Sequence, residues 1–323
     1  MRDLEFERQI SPQIHGSSWY MGEYGSFYLA SRYCGFAGCV RQCPGTWLHG
    51  WAPEYFNIHP EMVIGTHGQN IASAERQRVF VGRDDQREYL LKAGFPKTAC
   101  VGLPICYTSD SGMERIGGSL LVVPVHSLSH TEHDWDFDEY ADEVLRVAGR
   151  FTKVTVCVHA SCVEKGYWTD AFSKRGVPWI VGASHGDVNT LQRVRDIFSR
   201  FEFVTTNGFG SHIAYAAAFG CRVSLWGPMA KWELSAYQND TLYKNCPEAT
   251  IRTMEFQGEE FLRRQYADLF TSPWEAETRV EWGRREIGWE NRRSPAELKR
   301  IFGWDLRTRV IRGVAGRVKK LFR

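Results

Sequence analysis

The sequence predicts an α/β protein whose better-defined half is a parallel sheet of five strands, doubly wound by helices. Three observations predict it. Five short apolar runs lie between Ser119 and Trp226, segments of helical period alternate with them, and a polar turn follows each of the first four. Strands buried on both faces read as near-continuous apolar runs, and their alternation with helices of about 10–14 residues is the mark of a parallel sheet.

SLLVVPV (119–125) is the first strand, and Phe137, Tyr140, Ala141, Val144, Leu145 and Ala148 fall on one face of the helix after it. VTVCV (154–158) follows, then a helix near 167–174 ended by Gly176-Val177-Pro178, and then WIVGA (179–183). Asp187 to Phe198 reads as an amphipathic helix capped by its acidic first residue. The stretch FEFVTTNGFGSHIAYAAAFGCRVSLWGP, ending at Pro228, supplies a fourth strand, a glycine-bearing turn, a small-residue helix from Ser211 to Phe219 and a fifth strand.

The N-terminal part is less regular. IHGSSWYMGEYGS (14–26) reads as a glycine-rich loop. TWLHGWAPE (46–54) and MVIGTHGQN (62–70) are apolar pieces that run into His-Gly. RVFVGR (78–83) and ACVGLPI (99–105) are strand-like, and DDQREYLLKAG (84–94) is a helix closed by Gly94. The expected division is an acceptor-side α/β domain over 1–110, a linker over 111–118, a ligand-binding domain over 119–290 and a tail over 291–323. In the tail, Ser294-Pro295-Ala296-Glu297 forms a capping box. From Leu306 onward seven basic and no acidic residues surround one apolar helical face.

A formal charge of +2 excludes a global nucleic-acid role, and 43% apolar residues suffice for a packed core. Nine scattered cysteines without a CxxC pair read as reduced thiols, so a cytoplasmic protein is expected. The first residues, MRDLEFERQ, do not resemble a secretory signal, and no apolar run approaches the ~20 residues of a membrane span.

Ligands of open α/β sheets sit beyond the carboxyl ends of the strands. Here four successive strand ends deliver His126-Ser127, His159-Ala160-Ser161, Ser184-His185-Gly186-Asp187, and Thr205-Thr206-Asn207 with Gly210-Ser211-His212. Imidazoles, hydroxyls and a helix N-terminus on one rim point to an anionic, phosphorylated ligand. GxxxxGK[ST], a GxGxxG turn and GxSxG are absent, which excludes P-loop, nicotinamide and serine-hydrolase chemistry of those types. His126, His130, His133 and Asp134 have spacings that zinc would accept, but they also line a loop into an acidic helix start, and no metal or other cofactor is expected.

THGQN (66–70), GFPKTACVGLPICY (94–107), SLLVVPVHS (119–127) and TTNGFGSHIAYA (205–216) resemble stretches of GT-B glycosyltransferases of bacterial surface-polysaccharide (capsule and O-antigen) biosynthesis. The likeness spans roughly Trp47 to Pro228. It implies two Rossmann-like domains, a nucleotide-sugar donor, a glycan or lipid-linked acceptor, and metal-independent transfer. The chain is also similar, more distantly, to the CMP-sugar transferases for sialic acid and Kdo. His159 stands where their phosphate-binding His would be, with Ala160 in place of a proline, and Thr205, Thr206 and Ser211 stand where their hydroxyl turn would be.

The phosphate-binding set expected from rim and resemblance together is His126, Ser127, His159, Thr205, Thr206, Asn207, Gly210, Ser211 and His212. A general base must face it from the N-terminal domain. His15, Glu23, His49 and His67 are the candidates, with His49 and Glu23 preferred. The basic tail fits an anionic membrane surface, which would place the enzyme peripherally at the inner face of the membrane. Two other functions remain open: a nucleotide-sugar epimerase or hydrolase on the same scaffold, and a non-catalytic membrane-associated assembly protein.

Overall fold

A computed structural model describes residues 1–16, 21–43, 45–64, 76–128 and 130–305 of the chain. Two sheets organise it. The first joins β1 (Thr46–Trp47), β2 (Arg78–Val81) and β3 (Lys97–Cys100) in that order. The second contains β4 (Ile116–Val122), β5 (Lys153–Val158), β6 (Trp179–Val181), β7 (Phe201–Thr206) and β8 (Arg222–Leu225), in the order β6-β5-β4-β7-β8. Every pairing in both sheets is parallel.

Alternation along the strands explains the second sheet's continuous apolar runs. Leu120 and Val122 of β4, with Val156 and Val158 of β5, pack toward Tyr140, Ala141, Val144 and Phe172 from the helices Phe137–Ala148 and Thr169–Lys174. Leu121, Cys157, Ile180 and Val204 point the other way, into a core shared with Leu191, Ile197 and Phe198 of helix Thr190–Arg200 and with the helix Ser211–Ala218. Successive strand residues face opposite sides, so a sheet covered twice needs apolar residues at every position.

The small residues of the Ser211 helix have a separate cause. Helix Val280–Glu286 lies against it so closely that a Cβ on Gly283 would come within 2.3 Å of the Ala218 nitrogen. Alanines on one helix and a glycine on the other permit that approach.

Both ends of the described chain cross between the sheets. Asp3 N donates to Trp179 O at 2.7 Å and Trp179 N to Met1 O at 3.1 Å, which extends the edge at β6. The later segment returns to the first sheet. Leu103 N donates to Ile287 O, Asn291 Nδ2 donates to Gly82 O, and Phe302 packs on Phe80 and Trp47.

Some local expectations change. Met62, Val63 and Ile64 belong to a short helix, Pro60–Ile64, and the rest of that His-Gly run lies outside the described residues. Asp187 does not cap the following helix, which begins at Thr190. It is buried instead against Arg193, and its Oδ1 accepts from Ile14 N and Asn189 N. The capping box at Ser294 forms with both hydrogen bonds in place. His67 and the basic stretch 306–323 lie outside the described residues. Among the described residues no helix is long and apolar enough to cross a membrane.

Candidate functional site

The strand order of the second sheet reverses between β4 and β7, and the loops that leave these strands diverge there. A cleft of about 540 Å³ occupies that point. His126, His159, His185, Ser211 and His212 line it from the second sheet, and Glu23, Tyr24, His49 and Gly50 face them.

Hydrogen bonds on both sides of Val125 fix the start of the His126 loop. Its N–H donates to Asn207 Oδ1 at 3.1 Å, and its carbonyl accepts from Trp168 Nε1 at 2.8 Å. Trp168 is fully buried and holds φ 66°, ψ −44°, with Thr169 N donating to Tyr167 O at 2.7 Å. That is a γ-turn, a conformation bulky residues rarely adopt, and the packed rings of Trp135, Phe137 and Tyr140 hold it. The His126 ring then stacks on His159 with centroids 4.6 Å apart. His159 is itself anchored, since its Nδ1 accepts from Ser161 N at 3.2 Å and Ser161 Oγ donates to Ser127 O at 2.5 Å.

Glycines shape the opposite wall. Gly22, Tyr24 and Gly25 have φ of 74°, 51° and 75°. A Cβ on Gly25 would fall 1.8 Å from Val188 O, so this turn admits no side chain there. The turn carries Tyr24 into the cleft, where its hydroxyl reaches His185 Nε2 at 3.1 Å and His159 Nε2 at 3.3 Å. It also sets the Glu23 carboxylate against His49 Nδ1. The His49 loop is tied to the Ser211 helix across the cleft. Trp51 N donates to Ser211 Oγ at 2.8 Å and Tyr215 Oη donates to His49 O at 2.6 Å. Trp51 Nε1 adds a bond to Glu286 on the neighbouring helix.

Neutral imidazoles dominate the electrostatics. Burial, then the nearby His126 and His185 rings, lowers the pKa of His159 to about 2. Burial, then His126, lowers His212 to about 3. His126 is held at about 4 by its enclosure, then by His185 and His49, although its ring still meets water in the cleft. Among the described residues no Lys or Arg lines the cleft, and imidazoles are its potentially cationic groups. Helix Ser211–Ala218 begins after Gly210, which offers no side-chain cap, and Ser211 and His212 of its first turn line this space.

The expected site residues divide into two sets. Glu23, His49, His126, His159, Ser211 and His212 line the cleft. Gly210 lines an adjoining hollow of about 220 Å³ that shares His126, Ser211 and His212. Ser127, Thr205, Thr206 and Asn207 lie beneath the surface, none more than 2% exposed. Ser127 Oγ donates to Thr131 O, and Ser224 Oγ donates to Thr205 Oγ1. Thr206 Oγ1 pairs with His212 Nε2 and accepts from Gly208 N. These four hold up the floor and present no polar group to the cleft.

His15 is exposed and bridges to Asp187, away from the cleft lining. His130 lines the cleft edge with its Nε2 2.8 Å from Asp240 Oδ2. His133 stacks on Trp135, and Asp136 caps a helix by accepting from Glu139 N. Among the described residues no group of three or more His, Cys, Asp or Glu is placed to hold a metal ion. Sequence reasoning missed Tyr24. Its only signal is the pair of flanking glycines, which mark a turn without saying that the tyrosine closes onto two histidines.

No protein-family profile matches the chain, and no curated protein matches it. Among solved structures it is similar to the pneumococcal O-GlcNAc transferase GtfA in complex with UDP and GlcNAc, at TM-score 0.33 and 12% identity over 72% of this chain and 45% of that one. It is also similar to a GtfA/B complex, at TM-score 0.28 and 12% identity over 69% of this chain and 45% of that one. The chain thus spans less than half the length of either, and scores this low mark a likeness too slight to carry function across.

Proposed function

We propose that the cleft binds a nucleotide-activated sugar and that the protein transfers the sugar to an acceptor hydroxyl without a metal ion. The observation that carries this reading is the Glu23–His49 pair, which faces an imidazole and helix-start wall across a single cleft. A carboxylate on Nδ1 fixes the imidazole tautomer and leaves Nε2 as the proton acceptor. In the transfer, the acceptor O–H gives its proton to His49 Nε2 as its oxygen bonds the anomeric carbon. The bond from that carbon to the phosphate oxygen breaks, and its electron pair leaves with the nucleotide. The first-turn N–H groups of the Ser211 helix and the His126 and His159 rings offset the charge that grows there.

In this reading the chain before residue 111 supplies the acceptor side and residues 119–290 the donor side. The acceptor expected is a glycan or lipid-linked glycan of surface-polysaccharide assembly. The basic amphipathic sequence of 306–323 is the reason to expect an anionic membrane surface beside it.

Incubation with CMP-, UDP-, GDP- and ADP-sugars, with and without glycan acceptors, tests the proposal. Acceptor-dependent release of one nucleotide, abolished in His49→Ala, is the expected result. Isomerisation of the donor without an acceptor would assign an epimerase instead, and release of free sugar alone a hydrolase. No turnover and no nucleotide binding would sink all three and leave the assembly role.

A further inference from the structure

The hollow of about 220 Å³ beside the cleft is lined by Trp51, Phe56, Phe209 and Trp232. These rings come from four separate segments: the loop after β1, the turn Glu54–Phe56, the turn after β7 and the stretch after β8. Gln257, the last residue of helix Pro247–Gln257, adds a half-buried amide. His126, Ser211 and His212 line the hollow and the cleft alike, so they stand where the two meet.

The aromatic walls are fixed by contacts of their own. Trp51 Nε1 donates to Glu286 Oε2 at 2.8 Å, and the Trp51 ring meets Phe209 with centroids 4.6 Å apart. Phe209 in turn stacks on Tyr266 at 5.1 Å. Trp232 is held edge-on by the rings of Trp135 and His133, each 5.3 Å away, and Trp135 Nε1 donates to the adjoining Lys231 O at 2.7 Å.

A hexose ring has C–H faces, which pack on aromatic rings, and a rim of hydroxyls, which an amide can meet as donor and acceptor. Clefts for drug-sized ligands run to ~300–1,000 Å³, so this hollow suits a single ring rather than a nucleoside with its phosphates. Among the described residues no Lys, Arg, Asp or Glu lines it. Burial, then a nearby His ring, holds His126 at about 4 and His212 at about 3, which leaves both uncharged at neutral pH. A sugar carboxylate would lose its water here without gaining a cation.

We propose, resting on the nucleotide-sugar reading above, that this hollow holds the sugar of the donor and selects an uncharged pyranose over one that carries a carboxylate. In such a donor the phosphate lies between nucleoside and sugar, as His126, Ser211 and His212 lie between cleft and hollow. The larger cleft then takes the nucleoside, and the aromatic walls take a C–H face of the sugar.

The test is calorimetric titration of the full chain with CMP, UDP, GDP and ADP, and with UDP-glucose, UDP-N-acetylglucosamine, GDP-mannose, ADP-glucose, UDP-glucuronate and CMP-sialic acid. At least one uncharged nucleotide sugar should bind roughly 5-fold or more tightly than either carboxylated one. Trp232→Ala should weaken that nucleotide sugar about tenfold and leave its bare nucleotide within about twofold. Gln257→Ala should weaken it roughly threefold, the loss of one hydrogen bond. If a nucleotide binds but no uncharged sugar form outdoes the carboxylated ones, the sugar subsite is overturned and the reading of the cleft stands. That preference is read on the unaltered protein, so it decides even if a variant unfolds. Equal losses of nucleotide and nucleotide sugar in a folded variant, or no loss in either variant, overturn the subsite in the same way. Binding of no nucleotide and no nucleotide sugar would remove the cleft reading and the subsite together.

Discussion

His159 and Thr205 belong to the ends of two strands that both flank β4, and both are polar, yet they do different work. His159 turns its ring into the cleft, within 3.3 Å of Tyr24 Oη on the far wall. Thr205 is fully buried and bonded to Ser224 on the next strand. The same division separates His126 from Ser127 and Ser211 from Asn207. Strand ends that look alike in composition supply a lining set, whose loss should reach the chemistry, and a floor set, whose loss should reach stability.

The largest expected effect falls on the lining. His49→Ala should lower kcat by ~10²–10⁴-fold, the range for loss of a general base, with the melting temperature little changed. Glu23→Gln should follow in the same direction with a smaller loss, because it misorients the base without removing it. If neither affects turnover while nucleotide still binds, the cleft does not use this pair.

Floor substitutions come next. Asn207→Ala strands the buried Val125 N–H and should destabilise the fold by ~1–3 kcal/mol in chemical denaturation. Nucleotide affinity of the folded fraction should stay within about twofold. A large affinity loss without destabilisation would move Asn207 into the lining set.

Ser211→Ala sits at the boundary, because its hydroxyl accepts from Trp51 N and so joins the two walls. About a tenfold drop in kcat/KM is expected, the equivalent of one hydrogen bond of ~1.4 kcal/mol.

A further effect is on pH dependence. His159 and His212 titrate near 2 and 3 in the fold but near 6.5 when unfolded, so below about pH 6.5 the unfolded chain binds more protons. Stability should therefore fall as pH drops from 6.5 toward 5, and His159→Gln should flatten that slope in thermal melts. An unchanged slope would mean the ring is not kept neutral by the fold.

The second sheet is legible in the sequence because both of its faces are covered, which makes β4, β5 and β7 continuous apolar runs. The first sheet is harder to read because β1 spans only Thr46–Trp47 and its core depends on partners far along the chain, such as Phe302. The rim of histidines follows from the rule for strand ends and is visible in the residue types. Which neighbour turns outward is not, since that depends on bonds such as Val125 to Asn207 that join loops 82 residues apart. Asp187 misleads for a related reason: it has the chemistry of a helix cap, and the fold uses it to pair with buried Arg193.

Calorimetric titration with CMP, UDP, GDP and ADP, run in parallel on the unaltered protein, His159→Ala and Thr205→Val, tests the division most directly. At least one nucleotide should bind, about tenfold or more weaker in His159→Ala and unchanged in folded Thr205→Val. Failure of every nucleotide to bind, or equal losses in the two variants, would contradict a cleft whose lining and floor have separate roles.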